Sequence, residues 1–387
     1  MGVKRLTILG STGSVGTQTL DLVAENPSAY KICALVGGRN VELLAAQARK
    51  FRPEITVIAD EGLLPVLREA LAGSGLAVAA GREAVLEASS RKPDWTMCAI
   101  TGTVGLEPTL AAVRQGGTIA FACKESLVSA GDVFLREVEA AGATLLPVDS
   151  EHNAILQAMA DGNVKAIDKI VLTASGGPFR NHSLEEMRSI TREAALRHPV
   201  WSMGAKISID SATMFNKGLE VIEAARLFCL PSEKIEVLVH PQSVIHGMVC
   251  YADGSVLAQL GSPDMRIPIA HALAWPGRLA TQAPKLDLAQ VARLEFHAPD
   301  ETRFPALRLA REALAEGAGA PAVLNAANEV AVAAFLDRKI GFLDIAGIVE
   351  AVMQKLGAPA VPDLGAVLAI DEAARAAAAA LASAKAA

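Results

Sequence analysis

Residues Arg5 to Leu9 form an apolar run that stops at Gly10-Ser11-Thr12-Gly13-Ser14-Val15-Gly16, after which the pattern turns helical to about Glu25. A strand, a glycine turn and a helix in that order commit the start of the chain to a layered fold with a parallel sheet. The alternation continues through Lys31 to Val36, Thr56 to Ala59, Thr96 to Ile100, Thr118 to Ala122 and Thr144 to Val148, with amphipathic helical stretches between them. These stretches predict a doubly wound α/β domain of Rossmann-like type over residues 1–150.

The first turn occupies the place of a dinucleotide pyrophosphate. Glycines there let the backbone approach phosphates, and the following helix supplies N–H groups and a partial positive charge. The spacing is G-x-x-G-x-x-G, and a plain tight turn is the competing reading. The second strand ends at Val36-Gly37-Gly38-Arg39-Asn40. An NAD enzyme usually carries an acidic residue at that point, whereas Arg39 and Asn40 suit a 2′-phosphate, so NADPH is the expected cofactor; for Arg39 the alternative is a solvated loop cation.

A chain of 387 residues is too long for one compact core. Beyond the first domain, strands are expected at Lys169 to Thr173, Lys234 to Val239, Ser243 to Tyr251 and Ser255 to Leu260, with Asp253-Gly254 turning the last pair into a hairpin. They predict a middle α+β catalytic domain over residues 151–280, built on its own sheet. Residues 281–304, rich in Pro and polar residues, read as a linker, and 305–387 as a small helical bundle. Its last stretch, Asp371 to Ala387, is mostly alanine, with little to pack and ends that fray.

Four polar stretches interrupt this apolar frame. In Pro147-Val148-Asp149-Ser150-Glu151-His152-Asn153 two carboxylates stand two residues apart, on one side of the chain if it is extended. An N-cap leading into a helix is the competing reading. Ala174-Ser175-Gly176-Gly177-Pro178-Phe179 offers a hydroxyl beside flexible glycines, as a phosphate-gripping turn does. Asp210 to Glu220 places Asn216 and Glu220 on one helical face, with Lys217 adjacent and Ser211 about a turn earlier; from these residues alone, a polar face with an ion pair is the leading reading. His198 to Lys206 joins a Pro stop, a Gly hinge, Trp201 and Met203 without any period, which suits a loop closing over a ligand or a packed structural loop.

Composition limits the partners. A net charge of −6 argues against nucleic acid or an anionic membrane as the main partner, and no apolar run reaches the roughly 18 residues of a membrane span. Five cysteines without a C-x-x-C pair suggest neither a disulfide framework nor a thiolate zinc site. The start, Met1-Gly2-Val3-Lys4-Arg5, enters a strand directly, and a cytoplasmic location is expected.

Taken together, the glycine turn, Lys124-Glu125-Ser126-Leu127-Val128, Val148 to Ala154, Ser175 to Phe179, His198 to Gly204 and Ile209 to Glu220 resemble the 1-deoxy-D-xylulose-5-phosphate reductoisomerase family, in family order and over essentially the whole chain. The resemblance implies rearrangement of deoxyxylulose phosphate through cleavage and re-formation of a carbon–carbon bond, then NADPH reduction to methylerythritol phosphate in the non-mevalonate isoprenoid pathway. It implies Asp149, Glu151 and Glu220 as ligands of Mg2+ or Mn2+, an all-oxygen set unsuited to zinc. It further implies phosphate and hydroxyl contacts from Ser175, Ser211, Asn216 and Lys217. Lys124, Ser150 and His198 would contact the substrate backbone, and Trp201 and Met203 would sit in a closing loop. Lys124, Asp149, Glu151, His198 and Glu220 form the implied catalytic set. Cofactor contacts would be Thr12, Gly13, Ser14, Val15, Gly38, Arg39, Asn40, Cys123, Glu125 and Gly204, and a homodimer is the family-level expectation.

At Cys123 the family commonly has Asn, so this position serves the cofactor through its main chain or binds it less well. Two other readings stand beside this one. An NADP-dependent semialdehyde dehydrogenase requires a reactive cysteine beside a base, and in sequence only Cys250, four residues after His246, has a histidine near it. A cofactor-sensing protein without chemistry leaves the three carboxylates unexplained.

Overall fold

The structure, a computed structural model, describes residues 2–159, 164–201 and 203–386. The chain divides into two compact units. The first comprises the residues up to Ser126 together with Phe134–Ser150 and Asp264–Ala283; the second comprises Leu127–Val133, Glu151–Pro263 and the chain from Pro284 onward.

The first unit is built on strands β1 (Lys4–Leu9), β2 (Tyr30–Gly37), β3 (Ile55–Ile58), β4 (Val78–Ala80), β5 (Trp95–Cys98), β6 (Thr118–Phe121) and β7 (Thr144–Pro147). Their order is β4-β3-β2-β1-β5-β6-β7, every pair parallel. The chain winds outward from β1 to β4 and then returns to β5 on the other side of β1. The turn after β1 therefore lies at the topological switch point, where sheets of this kind bind ligands. The strands β3 and β5 are buried at every position, the continuous pattern of parallel strands covered on both faces. Leu6, Ile8 and Leu35 are fully buried, each contributing about 1.5–3 kcal/mol. Sequence periodicity missed β4, whose three residues are too few to carry a period.

The expected boundary at residue 280 is corrected by the helix Arg266–Ala274, which belongs to the first unit and not to the middle domain. Its residues Pro268 to Leu273 are all buried, so it needs cover on several sides. The buried Trp95 indole donates to Ala272 O at 3.0 Å, and the Lys4 ammonium donates to Leu273 O at 2.8 Å.

The second unit has its own sheet of β8 (Ile167–Ala174), β9 (Ile235–Val239), β10 (Ile245–Tyr251) and β11 (Val256–Leu260), in the order β11-β10-β8-β9. The hairpin forms as read: Gly254 takes φ +89°, and Tyr251 N–H donates to Ser255 O at 2.9 Å. The separate linker and separate helical domain do not. His297, within the expected linker, exchanges backbone hydrogen bonds of 2.8 and 2.9 Å with Val239. The helices Ala306–Glu316, Ala320–Leu336, Asp344–Leu356 and Leu364–Ala386 share one apolar core with β8 to β10. Their closeness is set by Gly218, where a Cβ would stand 2.9 Å from Ala306 O. Apolar stripes show that helices must pack but not on what. Nor is the alanine tail left without packing, since Ala374, Ala378 and Ala382 are buried at helical spacing and Arg375 pairs with Asp371 and Glu329.

Candidate active site

In the first unit the glycine turn is shaped by backbone contacts. Gly10 has φ +88°, and a Cβ there would lie 2.4 Å from Ala99 O; at Gly16 it would lie 2.2 Å from Gly10 O. Only glycine fits either place. Gly13 stands at the N-cap of the helix Ser14–Glu25, where no side chain caps the helix and no acidic residue occupies the first turn. Its leading amides face a partial positive end, open to an anion. Thr12 and Val15 are half-buried, while Gly13, Ser14, Gly38, Arg39 and Asn40 are exposed around this end of the sheet. Arg39 pairs with Asp60 at 3.1 Å. Asn40 caps the next helix by accepting from Leu43 N–H at 3.0 Å, so its carbonyl oxygen already has a structural task.

Lys124 and Glu125 begin the helix Lys124–Ala141 and are both buried; Lys124 forms an ion pair with Asp149. The Cys123 side chain points inward, its sulfur 3.6 Å from Gly102 O and 3.1 Å from Ser126 Oγ. Burial, with the Glu125 charge, pushes its thiol well up, so it is no nucleophile. Its main chain is what it can offer a cofactor.

The second unit holds the carboxylate cluster. Glu151 lies in the first turn of the helix Ser150–Ala158, so the extended two-residue geometry expected for Asp149 and Glu151 gives way to a helix start. The Lys217 ammonium donates to Glu151 Oε1 at 2.8 Å and also bonds Glu220, whose other oxygen accepts from Asn216 Nδ2. Burial pulls the Lys217 pKa down, but Glu151 and Glu220 outweigh it and hold it above the ordinary value. Behind them His152 bonds Glu220 O at 2.9 Å through Nε2, with Nδ1 3.3 Å from the buried Glu223 carboxylate. A carbonyl can only accept, so the bond to Glu220 O requires a proton on Nε2. Neither His152 nor Glu223 was singled out in the sequence; the i, i+3 recurrence of Glu220 and Glu223 was the available signal.

A second constellation surrounds Ser175, which follows β8. Gly177 N–H donates to its Oγ at 3.1 Å, and His198 Nε2 lies 2.9 Å away. His198 Nδ1 accepts from Val200 N–H at 3.2 Å and Trp201 N–H at 2.8 Å, which places the ring proton on Nε2. Burial lowers the His198 pKa, keeping the ring neutral. With two donors directed at it, Ser175 Oγ turns its own hydroxyl proton outward. Ser211 ends up on a different helix from Asn216: Met214, at φ +65°, separates Ala205–Thr213 from Phe215–Leu227. The two glycines after Ser175 explain how the loop reaches Ser211, since a Cβ on Gly177 would come 2.9 Å from Ser211 O. In the neighbouring loop, half-buried Trp201 lies 6.0 Å from the ring of His246, another residue the sequence reading did not place in the site. Met203 is half-buried, Gly204 is the N-cap of the next helix, and Ser202 lies outside the described residues.

Family models cover most of the chain. The model described as 1-deoxy-D-xylulose 5-phosphate reductoisomerase matches residues 6–131, that of its C-terminal domain matches 145–228, and that of the DXP reductoisomerase C-terminal domain matches 260–377. A 1-deoxy-D-xylulose 5-phosphate reductoisomerase of Gluconobacter oxydans is 61% identical over 353 residues, 91% of this chain and 86% of that protein. The chain belongs to the 1-deoxy-D-xylulose 5-phosphate reductoisomerase family. The reductoisomerase of Rhodospirillum centenum is 57% identical, covering 97% of this chain and 93% of its own length. Among solved structures, the Zymomonas mobilis reductoisomerase in complex with NADPH superposes with a TM-score of 0.93 at 55% identity, covering 98% of this chain and 99% of that one. A DOX-P reductoisomerase in complex with NADPH, fosmidomycin and magnesium gives 0.92 at 43% identity, covering 99% and 98%. Cys250, the cysteine with a histidine near it in sequence, has its pKa raised by burial, which does not suit a nucleophile.

Proposed function

We propose that this chain converts 1-deoxy-D-xylulose 5-phosphate to 2-C-methyl-D-erythritol 4-phosphate, by skeletal isomerisation followed by hydride reduction, in non-mevalonate isoprenoid precursor biosynthesis. Family membership supports the reaction. The observation that carries the site is the set of Glu151, Lys217 and Glu220, the last two buried, whose charges sum to −1 and whose carboxylate oxygens suit a cation. The donors are carboxylate oxygens, which suit a hard cation such as Mg2+, and Mn2+ fits the same set. Asp149, two residues from Glu151 along the chain, is the third ligand. In the first unit, the uncapped N-terminus after Gly13 and the glycines that admit no side chain fit the pyrophosphate of NADPH, with Arg39 toward its 2′-phosphate.

The cation would supply Lewis-acid stabilisation of an enolate, and NADPH the hydride. The protein's own residues orient and hold. Asn216 and Lys217 fix the two oxygens of Glu220, and His152 fixes its backbone. Ser175, with Gly177 and His198 directed at its oxygen, donates its proton to a phosphate oxygen, and Ser211, Asn216 and Lys217 contribute further donors to the phosphate and nearby hydroxyls. Lys124 and Ser150 meet the substrate backbone, Trp201 and Met203 cover it, and Glu125, Gly204 and the Cys123 main chain complete the cofactor contacts.

No helix among the described residues is long and apolar enough to cross a membrane, and the cysteines are free thiols, which suits the cytoplasm. Exposed Val256 and Leu257 on the edge strand β11 suit pairing with a second copy in a homodimer. The test is NADPH oxidation by the purified protein. It should require both deoxyxylulose phosphate and Mg2+ and should yield methylerythritol phosphate; oxidation supported by simple aldehydes without metal would refute the reading.

A further inference from the structure

The helix Ala320–Leu336 is apolar around most of its circumference, yet it carries Asn325 and Asn328, both fully buried. Burying an amide is unfavourable unless it is hydrogen-bonded, so each marks a partner. For Asn328 the partner is Asp210: Nδ2 donates to Oδ1 at 2.8 Å. The other Asp210 oxygen holds the Lys206 ammonium at 2.7 Å, and the carboxylate is 1% exposed. Burying a carboxylate so deeply is costly unless it is paired and hydrogen-bonded, so both partners bear on how the helix is held.

The place of Asp210 gives the network its meaning. It directly precedes Ser211, and Lys206 stands in the first turn after Gly204, where the loop 198–204 ends. One buried carboxylate thus ties that first turn to a helix 118 residues downstream. Because the Ser175 turn rests on Ser211 O through Gly177, a shift of the helix Ala205–Thr213 would move Ser211 relative to Ser175.

We propose that Asp210 and Asn328 are a positioning pair for the phosphate end of the substrate. They hold Ser211 in register with the Ser175 turn, while touching no substrate themselves. The inference rests on the functional reading above only in taking Ser175 and Ser211 as phosphate-binding. Asn325 supplies an internal control. It is buried on the same helix, but its amide donates to Ser129 Oγ at 3.3 Å and Glu329 Oε1 at 3.1 Å, neither of which lies on the helix Ala205–Thr213.

The experiment is steady-state kinetics with thermal melting on the full chain. Asn328→Ala should raise KM for deoxyxylulose phosphate about tenfold while kcat changes less than about threefold. Asn325→Ala should lower the melting temperature similarly and leave KM in place. The exchange Asp210→Asn with Asn328→Asp rebuilds the hydrogen bond in reverse and should recover most of the KM. If alanine at 328 does not fold, Asn328→Ser carries the same expectation. An unchanged KM in the folded 328 variant, or an equal rise in Asn325→Ala, overturns the proposal. Absence of turnover in the unmodified protein would instead overturn the functional reading, so the two failures are distinguishable.

Discussion

In the first unit the groups proposed to face the pyrophosphate are backbone amides, gathered within Gly10 to Gly16 and fixed by two glycines that admit no side chain. In the second unit the groups proposed to face a ligand are side chains drawn from distant parts of the chain: Glu151, Ser175, His198, Ser211 and Asn216 to Glu220. A backbone site depends on shape and tolerates little change in volume. A side-chain site depends on charge balance, because its carboxylates stay buried only while a cation compensates them.

That contrast breaks first, and with the largest effect, if Lys217→Met leaves the protein intact. Removing the ammonium from Glu151 and Glu220 should cost about 3–5 kcal/mol of stability without added metal. Mg2+ should then raise the melting temperature further than it does for the unmodified protein. Calorimetry across a Mg2+ series reads both, and equal stability with equal Mg2+ response would count against charge balance.

Shape is tested next, by Gly16→Val. Its Cβ would meet Gly10 O at 2.2 Å, so the turn must open. NADPH affinity should fall by about two orders of magnitude, the fold-change expected of overpacking. Near-normal binding by fluorescence titration would show that the turn is not the pyrophosphate cradle.

A pH series sharpens the second region. His198 is held neutral by burial and accepts two backbone N–H bonds at Nδ1, so protonation would set N–H against N–H. Its folded pKa lies below the unfolded value. Its contribution is therefore complete above pH 6.5, the ordinary value, and is lost as pH falls through the lowered one. KM for the substrate should hold level above that value with respect to this group and rise at lower pH, roughly tenfold for one lost charged hydrogen bond; a KM independent of pH below 6.5 would contradict it.

The smallest effect belongs to Arg39. It is 84% exposed and paired with Asp60, so Arg39→Asp should erode the preference for NADPH over NADH by only several-fold to about tenfold. An unchanged ratio of kcat/KM values would place the 2′-phosphate elsewhere.

The two regions were not equally legible in the sequence. The glycine turn is local: strand, glycines and helix follow one another, and the parallel sheet came as the alternation implied. The second site is not local, and composition carries no record of which face of Phe215–Leu227 meets the helix of Glu151. Its residues were legible through the family resemblance, whereas Glu223 and His246 were not, because a single histidine or glutamate within an apolar stretch looks like any buried polar residue, nor was His152, which stands among polar neighbours that drew the attention instead. The return of Arg266–Ala274 to the first unit was hidden for a related reason. An apolar helix announces that it must be covered, while the Trp95 and Lys4 bonds that say by what come from far along the chain.

The central claim is that Glu220, with Glu151 and Asp149, holds the cation. Glu220→Gln keeps the side chain's size and removes one charge from the set. Two measurements on that one variant decide the matter: an NADPH titration, and turnover across a Mg2+ series. The account predicts near-normal NADPH binding with turnover reduced by about a thousandfold, the scale of losing one preorganised electrostatic group. Near-normal turnover at low Mg2+ would contradict it and remove Glu220 from the metal site.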